Sequence, residues 1–382
     1  MALRQQLSDA FTHIQGQLFP MLRCEVGPLT ADHERLVTVL GMVRVEAHIR
    51  IHDGLPGRPA DDRHALARAF IAKAVLDLPT TVALIERLAV DATLRRLCGF
   101  EGAGAVPGGW TFSRAFAEFA QSDLPGRMHE ALVTRTLGET LVGHISRDAT
   151  AIEAREKPVK PAPEASVPDP VAPKRKRGRP RKGEVVVPKP PRRIELQATM
   201  TLPQMLADLP RHCSVGTKRN AKGHTTSWTG YKLHIDTADG DIPVSCLLTS
   251  AHVHDSQVAI PLATMTARRV TNLYDLMDSA FDVPEIKDHS RSLGHVPIID
   301  HKTRRGEKEV IAAEARAKRI ANYRTAEDAR YGQRTSAERV NANLKDNCGG
   351  NHVRVRGPAK VLCHLMLGIL VITAEQLLRL VQ

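Results

Sequence analysis

The amino-acid sequence predicts a mixed α/β (α+β) protein with a helical N-terminal part and a strand-containing C-terminal part. Three observations support this class. Apolar residues recur at helical spacing before residue 140, strand-like runs appear after residue 226, and a stretch rich in proline and basic residues separates the two. The chain has 382 residues, which is enough for two domains with a buried core.

The segment 1–140 predicts a helical domain. Apolar residues follow a helical spacing over 61–76 and again over 80–97, and a further helix is predicted over 110–120 with Phe112 and Phe116 facing inward. Two helices joined by a turn are compatible with a helix-turn-helix reader of DNA. An ordinary helical bundle explains the same pattern, and from this segment alone it is the better interpretation.

The segment 157–193 predicts a disordered basic linker. It holds twelve basic and three acidic residues, together with ten of the 24 prolines and no aromatic residue. Such a composition cannot bury enough apolar surface to offset the entropy of ordering the chain. The segment carries a net charge of +9 out of +12 for the whole chain, so most of the excess positive charge is concentrated here.

The centre of this linker contains a short arginine motif. The run Arg177-Gly-Arg179-Pro-Arg181 resembles an AT-hook, an element that places arginines in the narrow minor groove of A/T-rich DNA. The alternative is a generic polybasic tether or a localisation signal. Either way, the three arginines are candidate DNA-binding residues.

The C-terminal part predicts strands mixed with helices. The predicted strands are 141–145, 227–237, 242–249, 270–277 and 295–299. Asp255 is the predicted N-cap of a helix that runs through Met265, and two further helices are predicted over 308–330 and 336–345. An Asp239-Gly240 turn joins the second and third of these strands. The pattern indicates a catalytic-size domain that contains 141–156 and 194–382.

Cysteine spacing and hydropathy exclude several classes of protein. The six cysteines form no Cys-x-x-Cys pair, so a zinc ribbon and a disulfide framework are both disfavoured. The N-terminus lacks the apolar run of a secretory signal. The apolar run 361–374 is shorter than the ~20 residues of a membrane span and predicts a buried C-terminal helix. We therefore expect a cytoplasmic protein with no membrane partner and, given a pI near 9.6, a polyanionic partner.

Three acidic residues are candidate metal ligands. Asp148 follows the first predicted strand, Asp278 ends the run 270–277, and Glu338 lies near the start of a predicted helix. Carboxylate oxygens are the ligands that Mg²⁺ prefers, and two such ions can clamp the oxygens of a phosphodiester. Asp236 is an alternative to Asp148, although its position near the Asp239-Gly240 turn favours a turn role.

The C-terminal helix that carries Glu338 also carries a polar face. Tyr331, Arg334, Glu338 and Lys345 lie within ~60° of arc if the helix is continuous. A carboxylate flanked by a phenol and two cations can bind metal while the cations hold phosphate charge. The alternative is a capping box, in which Glu338 satisfies a backbone N–H at a helix that starts at Thr335.

These residues carry a resemblance to a known family. The spacing Tyr331-x2-Arg334-x3-Glu338-x6-Lys345 resembles the Tyr-Arg-Glu-Lys signature of bacterial insertion-sequence DDE transposases. Asp148-Ala-Thr is similar to the first aspartate strand of that family. Asp278-Ser-Ala-Phe-Asp is similar to its second block, Asp-x-x-Tyr-Asp, with Phe281 in place of the usual tyrosine. The resemblance covers roughly residues 60–380.

The resemblance implies a ribonuclease-H-like catalytic fold and two Mg²⁺ or Mn²⁺ ions held by Asp148, Asp278 and Glu338. It implies cleavage at the ends of a mobile element and attack of the freed 3′-hydroxyl on target DNA. Its partners would be double-stranded DNA (the element's terminal inverted repeats and the target), with a homodimer on DNA and association with the nucleoid. Tyr331, Arg334 and Lys345 would contact phosphate. The alternative is an inactive relative that acts as a DNA-binding regulator.

Overall fold

The computed structural model describes residues 3–50, 62–159, 191–219, 223–301 and 307–380. The predicted α/β class is confirmed, because the described residues form a six-stranded mixed sheet covered by helices. Most of the predicted linker, including Arg177, Arg179 and Arg181, lies outside the described residues.

In the described residues before 141, all regular secondary structure is helical. The α-helices are α1 (Leu3–His13), α2 (Phe19–Val26), α3 (Ala31–Val43), α4 (Arg63–Val75), α5 (Thr81–Val90), α6 (Ala92–Cys98), α7 (Gly109–Gln121) and α8 (Leu124–Leu137). A π-helical turn, Ile14–Leu18, joins the first two. The helical N-terminal part is therefore confirmed.

The prediction of a single helix over 80–97 was wrong. Asp91 adopts an extended backbone conformation between α5 and α6, and its carboxylate accepts a hydrogen bond from the Leu94 N–H at 2.9 Å. This N-cap starts a new helix in the middle of the apolar pattern. The prediction over 110–120 was right, since Phe112 and Phe116 of α7 are buried against the ring of Phe70.

The sheet contains six strands. They are β1 (Leu141–Glu153), β2 (Ser214–Arg219), β3 (Thr225–Ala238), β4 (Ile242–Ser250), β5 (Thr271–Met277) and β6 (Val296–Ile299). The order is β2-β3-β1-β5-β6, and β4 also pairs with β3. β1 is central, antiparallel to β3 and parallel to β5, and β5 is parallel to β6. This mixed sheet is consistent with a ribonuclease-H-like domain.

β1 is much longer than the predicted strand 141–145. It continues to Glu153, so Asp148 lies within the strand and not after its end. The strand continues past the predicted end because β5 pairs with its first part, up to Ser146, and β3 pairs with its second part, from Ile145 to Glu153.

The remaining helices follow β1. They are α9 (Arg193–Gln197), α10 (Leu202–Asp208), α11 (Ser256–Ala267), α12 (Pro284–Ser292), α13 (Lys308–Ile320), α14 (Ala326–Tyr331), α15 (Thr335–Asn347) and α16 (Pro358–Arg379). The prediction of one helix over 308–330 was wrong, because α13 ends at Ile320 and α14 begins at Ala326. The sequence also missed α9, α10 and β2, all of which precede Ser227.

α16 is the central helix of the molecule. It is long and apolar enough to cross a membrane, yet 83% of its most apolar stretch is buried inside the protein. It packs against α3, α4, α7 and α8 on one side and β4 on the other. The predicted buried C-terminal helix is therefore confirmed, although it spans 22 residues and not the 14 of the apolar run. Through α16, the N-terminal helices and the sheet share one hydrophobic core.

Candidate active site

Asp148 and Asp278 lie on neighbouring parallel strands in matching positions. Ser146 of β1 pairs with Leu276 of β5, and the two aspartates follow these residues by the same two positions. Side chains two residues apart point to the same face of a sheet, so both carboxylates project from one face near the carboxyl end of β5. Asp278 ends the strand as predicted, and its Oδ1 accepts a hydrogen bond from the Ala280 N–H at 2.9 Å.

Two hydrogen bonds tie α15 and the turn before it to β1. The Ser146 hydroxyl donates to the carbonyl of Arg334 at 2.7 Å, immediately before the helix begins. The Asn341 amide donates to Oδ2 of Asp148 at 3.0 Å. Glu338 and Asn341 are three residues apart and therefore neighbours on the helix surface. The helix thus presents Glu338 beside the carboxylate of Asp148.

Glu338 is paired with Arg334. The Arg334 guanidinium donates to Oε1 of Glu338 at 2.7 Å, and the Glu338 side chain remains 51% exposed. The capping-box interpretation was wrong, because α15 has Arg334 at its N-cap and no side-chain capping hydrogen bond. Glu338 is therefore available to a ligand from the solvent side.

The electrostatics of Asp148 reflect this arrangement. Burial raises the pKa of Asp148 above its usual value, and the nearby negative charges of Asp278 and Glu338 raise it further. The Ala149 backbone N–H and the Arg334 guanidinium oppose this rise. Among the described residues, three carboxylates thus act on one region together with the guanidinium of Arg334, which is an arrangement that attracts cations.

The Tyr-Arg-Glu-Lys residues do not all cluster. Tyr331 ends α14, a 3₁₀ turn at Gly332–Arg334 precedes α15, and the Arg334 guanidinium lies 5.8 Å from the centre of the Tyr331 ring. Burial raises the pKa of Tyr331, and Asp300 and Asp278 add to the rise. The structure therefore places Tyr331 and Arg334 with the carboxylates, although the helix is not continuous.

Lys345 lies further along α15. Burial lowers its pKa, the neighbouring Lys218 of β2 lowers it further, and Glu153 at the end of β1 opposes the shift. Seven residues of helix span ~10 Å, so Lys345 lies beyond the carboxylates toward the far end of β1. With Lys218 it forms a pair of cations near the end of β1 that carries Glu153.

The donor chemistry of the site fits a divalent metal. Asp148, Asp278 and Glu338 supply hard oxygen ligands, the kind that Mg²⁺ and Mn²⁺ prefer. In the part of the chain that the structure describes, the buried Oδ1 of Asn341 next to them has no hydrogen-bond partner. Over the described ranges, however, no three His, Cys, Asp or Glu side chains converge closely enough to form a ready-made metal centre.

Asp236 was assigned to a turn, and this was wrong. It lies in β3, fully buried, and both of its carboxylate oxygens accept hydrogen bonds from Arg147 at 2.7 Å. Thr266 of α11 adds a third at 2.6 Å, and Arg147 also reaches the sulfur of Met277 at 3.3 Å. The pair therefore links β1, β3, β5 and α11 on the face of the sheet opposite to the carboxylates.

Sequence reasoning missed Arg147 and Asn341. Asn341 could have been found, because it stands at the helical spacing i+3 from Glu338. Arg147 could not, because its partner Asp236 is 89 residues away and only the pairing of β1 with β3 brings the two together.

Two family models match the chain. One, described as a transposase DDE domain, matches residues 197–374, and another, described as a transposase domain (DUF772), matches residues 34–118. The first match contains Asp278 and Glu338, whereas Asp148 in β1 lies before it. Comparison with curated proteins and with solved structures found no match.

Proposed function

Because the chain belongs to the DDE transposases of insertion sequences, we propose that it binds the ends of a mobile element and catalyses metal-dependent DNA cleavage followed by strand transfer. The single observation that supports this most strongly is the registered placement of Asp148 and Asp278 on adjacent parallel strands. The helix that carries Glu338 is tied to β1, the strand of Asp148, by the hydrogen bonds of Ser146 and Asn341.

Asp148, Asp278 and Glu338 would hold two Mg²⁺ or Mn²⁺ ions. Bound there, the ions would activate the attacking oxygen and stabilise the leaving oxygen of a phosphodiester. Asn341 holds the Asp148 carboxylate in place, and Arg334 keeps Glu338 directed at the site until a cation competes for it. A bound cation would offset the repulsion among the three carboxylates, and this relief would favour cation binding.

DNA would approach over the exposed side of α15. Tyr331 and Arg334 lie beside the carboxylates and would contact phosphate near the scissile bond. Lys345 and Lys218 would contact the backbone further along. The arginines 177, 179 and 181 would add a grip on DNA, and replacing all three with glutamine should lower the salt slope of DNA affinity by up to ~3.

The organisation that we propose follows from these roles. Residues 1–140 would form the DNA-binding domain. Residues 141–156 would contribute the first strand of the catalytic domain, and 194–382 would complete that domain. Residues 157–193 would form the linker between these two parts of the catalytic domain. A homodimer on paired element ends, acting in the cytoplasm at the nucleoid, fits this assignment.

Cleavage of DNA that carries the element ends tests the proposal. Wild type, Asp278→Asn and Glu338→Gln would be compared with Mg²⁺ or Mn²⁺, and Asp346→Asn, which alters an exposed carboxylate on the same helix, is the matched control. We expect product from wild type and the control only. Equal product from all four proteins would contradict the proposed site. DNA binding by wild type without any cleavage would favour the inactive regulator.

A further inference from the structure

A cavity of about 460 Å³ lies between the N-terminal helices and the segment that leads into α16. Its volume is typical of sites for small organic ligands. None of its lining residues belongs to the carboxylate site. Its apolar walls come from α4, α5, α7 and α16, and include Phe70, Phe112, Leu78, Ile85 and Leu367.

The polar lining of the cavity is entirely cationic or neutral. Lys73, Arg354, Arg356 and Lys360 line it, and no aspartate or glutamate does so within the described part of the chain. Arg354 and Arg356 are exposed at its edge, whereas Lys360 is half-buried. Four cations without an acidic neighbour in the wall indicate an anionic ligand.

Lys73 provides an independent indication. The residue is 9% exposed, and its ammonium forms no hydrogen bond or ion pair with any residue in the described part of the chain. The charge of Asp77, which lies in the turn after α4, favours the charged ammonium. Burial lowers the pKa of Lys73 to about 8. An ammonium in such largely buried surroundings is costly to leave unpaired, and an anion in the cavity that Lys73 lines would supply a partner.

The start of α5 adds to the positive potential. Thr80 and Thr81 line the cavity at the N-terminus of this ten-residue helix, where the helix dipole favours negative charge. Ser113 of α7 supplies another hydroxyl to the wall. Hydroxyls and a helix N-terminus are common partners of phosphate oxygens.

We propose that this cavity binds a nucleotide, with its base against the apolar wall and its phosphate held by Lys73, Arg354 and Lys360. The apolar wall distinguishes a nucleotide from inorganic phosphate, which would leave that wall in contact with water. The nucleotide can come from an unpaired position of DNA or from a free nucleoside monophosphate, since both present the same base and phosphate.

The test titrates the full chain with two fluorescent probes. One is the monophosphate of 2-aminopurine deoxyriboside, and the other is a DNA duplex with 2-aminopurine in a single-stranded tail. A blunt duplex with paired 2-aminopurine serves as the reference for general DNA binding. The variants are Lys73→Met and Arg354→Gln, with Arg114→Gln, an exposed arginine of α7 outside the cavity lining, as the matched control.

We expect a saturable fluorescence change that Lys73→Met and Arg354→Gln each weaken about tenfold, as expected for the loss of one charge-assisted hydrogen bond, while Arg114→Gln does not. Saturation by the free monophosphate would show that the cavity takes a free nucleotide. Saturation by the tailed duplex alone would show that it takes an unpaired nucleotide of DNA. No saturation with either probe, unchanged affinity in both variants, or displacement by an equal concentration of inorganic phosphate would overturn the proposal. The free-nucleotide result does not depend on cleavage activity.

Discussion

Arg147 and Asp148 are consecutive residues of β1, yet their environments differ completely. Arg147 is 3% exposed, and its charge is matched by the bidentate carboxylate of Asp236. Asp148 projects from the opposite face, where it meets two further carboxylates and one guanidinium. This sheet matches charge internally on the face of Arg147 and gathers more carboxylates than cations on the face of Asp148. Charge of the first kind holds the fold together, and charge of the second kind is available to a ligand.

Replacing Arg147 should have the largest effect on folding. Arg147→Met leaves the Asp236 carboxylate buried without its cation, so we expect a loss of about 3–5 kcal/mol in the free energy of unfolding, measured by urea denaturation. The double variant Arg147→Met/Asp236→Leu should recover much of this loss, because no charge remains buried. Wild-type stability in the single variant would contradict the structural role of the pair.

Lys73 extends the comparison to a largely buried charge that pairs with no acidic side chain among the described residues. Lys73→Met should raise the free energy of unfolding by about 3 kcal/mol below pH 8, because the pKa of Lys73 falls from 10.5 in the unfolded chain to about 8 in the folded protein. The folded protein binds fewer protons between these values, so wild-type stability rises with pH from 8 to 10.5 and the difference disappears above that range. A difference that is constant from pH 7 to 11 would contradict this account.

Asn341 acts on the face of Asp148, because its amide donates a hydrogen bond to that carboxylate. Asn341→Ala removes the hydrogen bond to Asp148 and should cost about 1–2 kcal/mol in the free energy of unfolding. It should also raise the Mn²⁺ concentration needed for half-maximal cleavage. Asn343→Ala, on the same helix, is the control. An unchanged Mn²⁺ requirement would show that Asn341 supports the fold alone.

Asp148 itself should have the smallest effect on stability. Its pKa is raised by burial and by the neighbouring carboxylates, so the folded state holds this proton more tightly and wild-type stability falls as the pH rises from 3.8 through the raised pKa. Asp148→Asn removes this dependence and should be slightly more stable than wild type at pH 7, with no difference below pH 3.8. Urea denaturation at pH 3 and pH 7 checks this, and a less stable variant at pH 7 would contradict the repulsion among the carboxylates.

Local patterns in the sequence predicted the elements that carry the site. Asp278 ends a run of β-forming residues, and Glu338 lies in an amphipathic helix, so both positions followed from short-range signals. The bounds of β1 did not, because His144, Ser146 and Arg147 interrupt its apolar pattern and become favourable only with partners supplied by β3, β5 and the turn before α15. The break at Asp91 was missed because a capping aspartate resembles any polar residue between two apolar runs. Long-range pairing therefore accounts for most of the differences.

Under the proposed function, Asp148, Asp278 and Glu338 together bind divalent metal. Crystals of the full chain soaked in Mn²⁺ would test it directly through anomalous scattering. We expect Mn²⁺ bound by oxygens from all three side chains, with Arg334 displaced from Glu338. Manganese held elsewhere, or held at this face by fewer than all three carboxylates, would contradict the claim.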